Sequence, residues 1–244
     1  MKAVILAGGR GTRLEPLTLP TNKHLLPLYD KPVIYHAIEK LVKAGIYKIM
    51  VVTSPNHIDS FVKSLGSGQY FPRPDGKQTQ IVYGIQNEPN GIAYGLYVAK
   101  EYVGDDNCVL YLGDNIIEDD LTPYIKNFKG GAQVFLKPVK DTWRFGIARV
   151  DKKGKITAIN EKPAKSRSNL AVAGVYIYDN TVFDKMLHQK KSARGEYEIT
   201  YINNLYIKEG TLRAAYLKKP WFDIGTVDSL YETSLYMKAK QRRR

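Results

Sequence analysis

The chain opens on a short apolar run, Val4-Ile5-Leu6, that leads through Ala7 into Gly8-Gly9-Arg10-Gly11-Thr12-Arg13. Such a run suits a strand buried on both faces, and strands of that kind sit inside parallel sheets covered by helices. Gly8, Gly9 and Gly11 carry no Cβ, so a turn built from them lets backbone N–H groups close on an anion. Arg13 adds a guanidinium fork that can take phosphate oxygens in two places. The competing reading is a tight turn with solvated arginines. Three glycines and two arginines at one strand exit favour the anion.

Two common phosphate loops are excluded. A Walker A loop closes with Gly-Lys-Ser/Thr, and none follows. A dinucleotide fingerprint needs G-x-G-x-x-G, but counting from Gly9 and Gly11 the third position is Leu14, and the second strand ends at Thr53 rather than at an acid.

Downstream, Val33, Ile34, Ala37, Ile38 and Leu41 fall at helical spacing between Pro32 and Gly45. A second buried strand is expected over Tyr47–Thr53 and a helix over His57–Leu65. A strand over Gln80–Gln86, a helix over Ala93–Val103 and a strand over Val109–Leu112 continue the alternation. This rhythm predicts an α/β fold with a Rossmann-like, mixed and mainly parallel sheet flanked by helices. Residues 66–79, with three glycines and two prolines, read as an irregular loop. From Ala132 to Tyr178 the pattern turns β-rich, as added β structure on the side of the sheet. Helical segments around Thr181–Gln189 and Glu198–Lys208, a strand over Leu212–Leu217 and a helix from Val227 complete the expectation.

A chain of 244 residues can bury a sizeable core, and one domain is expected over 1–244. Cys108 is the only cysteine and lies in an apolar run, which predicts a small buried hydrophobe and no internal disulfide. With no leader-like N-terminus and no apolar run of spanning length, the expectation is a cytoplasmic protein without membrane association. The net charge of +13 asks for a polyanionic partner. Lysines and arginines are dispersed except in the terminal run Lys238–Arg244, read as a frayed, solvated helix end. No nucleic-acid-binding motif accompanies the charge and the tyrosines are scattered, so nucleic acid is not expected. A field that steers small anionic substrates is the better account.

Gly113-Asp114-Asn115 ends a buried strand, at the sheet edge where ligands of open parallel sheets bind. The alternative is an Asp or Asn capping the next helix. Asp223, before Ile224-Gly225-Thr226, is weak alone but could complete with Asp114 a Mg²⁺ site of hard oxygen ligands. The four histidines show no zinc spacing. Glu161-Lys162-Pro163 could bind a sugar hydroxyl and a phosphate together, or be a surface turn. In Ser192–Thr200, capping and site roles for Glu196 and Glu198 are nearly balanced. No nucleophile elbow or histidine–acid pair is legible, so the chemistry needs positioning and charge neutralisation rather than a covalent intermediate.

Taken in order, these pieces resemble the sugar-phosphate nucleotidyltransferases. The resemblance covers about residues 2–232: the loop Gly8–Arg13, Lys23, Leu25-Leu26-Pro27, Asp30-Lys31-Pro32, Gly113-Asp114-Asn115, Glu161-Lys162-Pro163, Ala171-Val172 with Gly174, Ser192–Glu196, and Asp223 with Gly225-Thr226. It is nearest to the thymidylyltransferase branch. It implies a nucleotide-binding part over about 1–130 and a sugar-binding lobe over about 131–226. The implied reaction joins dTTP and glucose 1-phosphate into dTDP-glucose and pyrophosphate, with Mg²⁺ as cofactor and a homo-oligomer allowed. The same chemistry on UTP or another hexose 1-phosphate, and a non-catalytic nucleotide-sugar sensor, are the alternatives.

The resemblance also implies roles. Arg13 would hold the leaving pyrophosphate, Lys23 the α-phosphate and Lys162 the sugar phosphate. The nucleotide would lie against Leu6, Gly8, Gly9, Gly11, Thr12 and Asp114, with Gln86 and Gly91 at the thymine. Asn115, Gly146, Glu161 and Val172 would bind the sugar, and Asp114 and Asp223 the metal. The chain departs from the pattern at His24, where many relatives have Gln, in the longer loop 69–79, and at Thr142-Trp143-Arg144-Phe145, where Pro-Glu-Arg-Tyr is usual. It also stops one helix after Asp223, which predicts hyperbolic kinetics without a second nucleotide site.

Overall fold

The computed structural model describes residues 1–242. Burial alternates along β1 (Lys2–Leu6): Ala3 and Ile5 join the core on one face of the sheet and Val4 the core on the other. After the glycine loop, a small hairpin of β2 (Pro27–Leu28) and β3 (Lys31–Pro32) leads into α1 (Val33–Lys43). Then follow β4 (Lys48–Thr53), α2 (Ile58–Leu65), β5 (Gln80–Ile85), α3 (Ile92–Tyr97), α4 (Lys100–Val103) and β6 (Cys108–Leu112). β1 pairs in parallel with β4 and β6, and β4 with β5, as the alternation predicts. The single helix expected over Ala93–Val103 is two. The chain tightens after Tyr97, where the Ala99 amide bonds the Leu96 carbonyl at 2.9 Å, three residues back rather than four.

The second half contributes β7 (Asn115–Ile117), α5 (Thr122–Lys126), β8 (Ala132–Pro138), β9 (Gly146–Val150), β10 (Ile156–Glu161) and β11 (Leu170–Tyr178). It closes with α6 (Val182–Met186), α7 (Ile199–Lys208), β12 (Leu212–Tyr216), β13 (Trp221–Asp223) and α8 (Val227–Gln241). β11 is the joint. Its Val175–Tyr178 part runs antiparallel to β6, its Leu170–Ala171 part to β9, and β8 follows its other edge. β12 and β8 are parallel, so every strand of this sheet except β10 and β11 runs the same way. The sheet is mixed and mainly parallel, with antiparallel β structure added beside it.

Helices α1, α2 and α5 cover one face, and α3, α4, α6 and α7 the other. Each fully buried aliphatic in these layers contributes roughly 1.5–3 kcal/mol relative to exposure. Cys108 is buried as expected, and burial pushes its thiol up to about 12. Loop 66–79 packs at the end of the strands opposite the glycine turn. Its Arg73 guanidinium lies 4.1 Å from the centre of the Tyr47 ring, just before β4. A small third core (Leu14, Leu26, Leu28, Ile116, Ile224) is closed by Leu230 and Met237 of α8. The frayed end expected for the basic run does not hold through Gln241: Lys240 pairs with Glu118, and Gln241 Nε2 donates to Asp30 Oδ2 at 2.7 Å. Arg243 and Arg244 lie outside the described residues. Among the described residues no helix is long and apolar enough to cross a membrane.

Candidate active site

Asp114 caps no helix. The next residue opens β7, which pairs antiparallel with β13 so that Asn115 stands opposite Asp223. This two-stranded ribbon sets the two acids side by side at the C-terminal end of β6. Asn115 ties them together: its Nδ2 donates to Asp114 Oδ1 at 2.9 Å and reaches Asp223 Oδ1 at 3.4 Å. Its Oδ1 accepts from the Gly174 amide at 3.0 Å and from Trp221 Nε1 at 2.6 Å. The carboxamide expected to meet a sugar is therefore engaged within the protein.

Each acid faces a cation. Lys23, on the turn after the glycine loop, pairs with Asp114. Arg144 Nη2 lies 2.9 Å from Asp223 Oδ2. Burial works against the charge of Asp114, but the Lys23 ammonium beside it holds its carboxyl well below the usual range. Asp223 goes the other way: burial, then the charge of Asp114, pushes it up to about 6. His24 is neutral. Burial and then the Lys23 charge take its pKa to about 3, and its Nδ1 sits 2.6 Å from Asn22 Oδ1. Asn22 Nδ2 donates to the Ala7 carbonyl, so Oδ1 faces the ring and Nδ1 is the protonated nitrogen.

Two cavities meet over these pairs. The larger, about 350 Å³, is bordered by Leu6, Gly8, Gly9, Lys23, Gln86, Gly91 and Asp114. The smaller, about 150 Å³, is bordered by Arg13, Asn115, Gly146, Glu161, Val172 and Asp223. Lys162 and Glu196 border both. Lys162 stands at φ +39°, a conformation costly for a side-chain-bearing residue and found mainly where function requires it. Among the described residues its ammonium has no hydrogen-bond partner. Gly11 and Thr12 border neither cavity; Gly11, at φ +68°, makes the turn that launches Arg13.

Gln86 Nε2 donates to the Glu88 carbonyl at 2.9 Å, and its Oε1 lies 3.3 Å from where a Gly8 Cβ would stand. Gly91, at φ +103°, has the Tyr197 carbonyl 2.6 Å from its missing Cβ, so no other residue fits that edge of the larger cavity. Sequence reasoning passed over Arg194 and Thr200. Arg194 reaches Glu161 and Glu196 at 3.3 Å and Glu198 at 3.4 Å, and the Thr200 hydroxyl donates to Glu161. The Glu198 side chain takes no helix cap; it accepts from Ser192 Oγ at 2.9 Å. The signal in sequence is the run Ser192–Thr200, where a basic and a hydroxyl residue accompany the acids.

Among the described residues no group of three or more His, Cys, Asp or Glu could hold a metal. Asp114 and Asp223 supply hard oxygens only. That donor set fits a magnesium ion, which binds through one or two carboxylates and completes its shell with water and substrate phosphates.

The sequence matches the family profile described as Nucleotidyl transferase over residues 2–240. It is 40% identical to glucose-1-phosphate thymidylyltransferase of Mycolicibacterium smegmatis, over 100% of this chain and 84% of that protein. It is 39% identical to the protein of that name from Neisseria meningitidis, over 99% of this chain and 84% of that one. A solved Bacillus anthracis structure, provisionally named a glucose-1-phosphate thymidylyltransferase and complexed with sucrose, superposes with a TM-score of 0.89 at 45% identity, covering 97% of this chain and 94% of the other. A UDP-glucose pyrophosphorylase complexed with UDP-glucose superposes at TM-score 0.85 over 98% of both chains, but at 23% identity it speaks for the fold alone.

Proposed function

The chain belongs to the nucleotidyl transferase family, and we propose that within it the protein transfers the nucleotidyl group of dTTP to α-D-glucose 1-phosphate, releasing pyrophosphate and dTDP-glucose. One observation carries this reading: two cavities share Lys162, an unpaired cation at their junction. A nucleoside and its α-phosphate in the larger and a sugar phosphate in the smaller bring two phosphates to the same ammonium, with the outer phosphates of the nucleotide running on to Arg13 at the smaller cavity. The names of the relatives support the choice of dTTP and glucose 1-phosphate.

The attacking group needs no general base, because a phosphate monoester with a second pKa of about 6 is already anionic at neutral pH. What the protein supplies is position and charge. Lys162 holds the sugar phosphate against the α-phosphorus, and Lys23, on the border of the same larger cavity, holds the α-phosphate. Arg13 takes the leaving pyrophosphate. Glu161, oriented by the Thr200 hydroxyl, and the backbone at Gly146 accept and donate to sugar hydroxyls. Gln86 and the backbone at Gly91 face the thymine edge. Asp114 and Asp223 would hold a magnesium ion, which would supply charge neutralisation to the reacting phosphates.

The test is pyrophosphate release over a grid of nucleoside triphosphates and sugar 1-phosphates with Mg²⁺. The expected result is the highest kcat/KM for dTTP with glucose 1-phosphate. Equal efficiency with UTP would overturn the base assignment, and no release from any pair would overturn the reaction.

A further inference from the structure

Arg13 and Arg144 come from distant parts of the chain and converge on one glycine. A Cβ on Gly225 would stand 3.0 Å from Arg13 Nη2, 3.3 Å from Arg144 Nη2 and 3.2 Å from Asp223 Oδ2. Two guanidiniums thus face each other across a residue without a side chain, with one carboxylate between them. Among the described residues Arg13 makes no side-chain hydrogen bond. Arg144 spends Nη2 on Asp223, while the one other acid it pairs with among the described residues, Asp141, is 3.9 Å from Nη1. A guanidinium has five N–H donors, so most of the capacity of both residues is free.

The position of Arg144 decides what could use those donors. With Phe145, Trp221 and Asp223 it lines both the smaller cavity of the site and a neighbouring outer cavity of about 480 Å³. The sugar wall at Glu161, Val172 and Thr200 borders the smaller cavity but not the outer one. Beyond Arg144 and Asp223, the outer cavity is lined by two acids, Asp141 and Glu232, against one cation, Lys140, so a polyanion is favoured beside the two arginines rather than beyond them.

We infer that Arg144 is a second catalytic arginine of the pyrophosphate site, gripping with Arg13 the group that leaves. The inference rests on the reaction proposed above. In that step a bond forms between the sugar phosphate oxygen and the α-phosphorus. The bond from the α-phosphorus to the oxygen bridging to the β-phosphorus breaks, and its electron pair stays on pyrophosphate. That new negative charge is what a bidentate fork stabilises and a point charge holds less well. Gly225 is without a side chain because any Cβ would stand in the space the two guanidiniums share.

Arg144→Gln and Arg144→Lys test this in the reverse direction, with dTDP-glucose and pyrophosphate as substrates. Arg144→Gln should raise the KM for pyrophosphate tenfold or more while the KM for dTDP-glucose stays within twofold. Arg144→Lys should fall between it and the parent protein. A purely structural arginine, holding Asp223 or propping the Phe145 ring that its guanidinium lies 5.2 Å from, would instead raise the Mg²⁺ concentration needed for half-maximal rate or the KM for the sugar nucleotide. That result, or an unchanged KM for pyrophosphate, would overturn the role. Should Arg144→Gln not fold, Arg144→Lys keeps the charge against Asp223 and reads the same ratio. Failure of the parent protein to turn over in either direction would strike the proposed reaction itself, a separable outcome.

Discussion

Gly174 and Asn115 are packed so that no side chain fits between them. The Gly174 amide donates to Asn115 Oδ1 at 3.0 Å, and a Cβ on Gly174 would stand 2.6 Å from the Asn115 carboxamide. The contact falls where the register of β11 against β8 shifts, between Val172 and Tyr176. Through it the central strand of the second half fixes the residue that ties Asp114 to Asp223.

Gly174→Ala should therefore act on catalysis from beneath the site. The added methyl must expel the Asn115 carboxamide or shift β11, and overpacking of this kind costs about 1–3 kcal/mol. A lowered melting temperature and at least a tenfold loss of kcat are expected. Parental kcat in the variant would show that the acids keep their places without Asn115.

Replacing either acid should be severe. Asp114→Asn removes the carboxylate that pairs with the half-buried Lys23 ammonium, and Asp223→Asn removes that of Arg144. Turnover with Mg²⁺ should fall a hundredfold or more, about 3 kcal/mol of transition-state stabilisation. Steady-state rates over a Mg²⁺ titration check this, and full activity of Asp114→Asn at saturating metal would remove it from the metal pair.

Gln86→Ala should weaken nucleotide binding without touching the phosphates. Its amide, buried at the edge of the larger cavity, is the group proposed above to face the base. Each lost hydrogen bond is worth about 0.5–1.5 kcal/mol net, so the KM for dTTP should rise up to about tenfold. An unchanged KM, measured with glucose 1-phosphate saturating, would take Gln86 out of the base pocket.

His36 should give the fold a pH dependence in mild acid. Its Nε2 is buried without a partner, and burial, then the charge of Lys31, lowers its pKa below 6.5, although Glu39 and Asp30 pull the other way. A histidine held neutral in the fold is protonated more readily when unfolded. Its contribution is complete above pH 6.5 and is lost as pH falls toward the lowered value. Urea midpoints should drop between pH 7.5 and 5.5, and drop less in His36→Gln. Equal drops in the two proteins would mean that His36 titrates normally.

Local pattern alone determined a good deal of this protein. Val4, Ile5 and Leu6 before three glycines announced a buried strand feeding a glycine turn, and the strand–helix alternation through Leu112 announced a parallel sheet. Both follow from short-range physics: apolar spacing reports which faces of a segment are buried, and a missing Cβ reports where the backbone must turn or approach closely. Gly8–Arg13, Asp114 and Glu161-Lys162 stood out one by one for the same reason, whereas Lys23, Gly146 and Val172 entered only through the resemblance.

Only the tertiary structure decided how they work together. The pairing of β7 with β13 that sets Asp223 beside Asp114, the commitment of Asn115 to holding both, and the convergence of Arg13 and Arg144 on Gly225 all join segments far apart in the chain. The same holds for Lys240, which left an apparently solvated basic run to pair with Glu118. Such contacts depend on strand register and on packing between layers, and neither leaves a periodic trace in the segments that meet. A sequence states what each residue can do; the register of two short strands decides which of them stand close enough to do it.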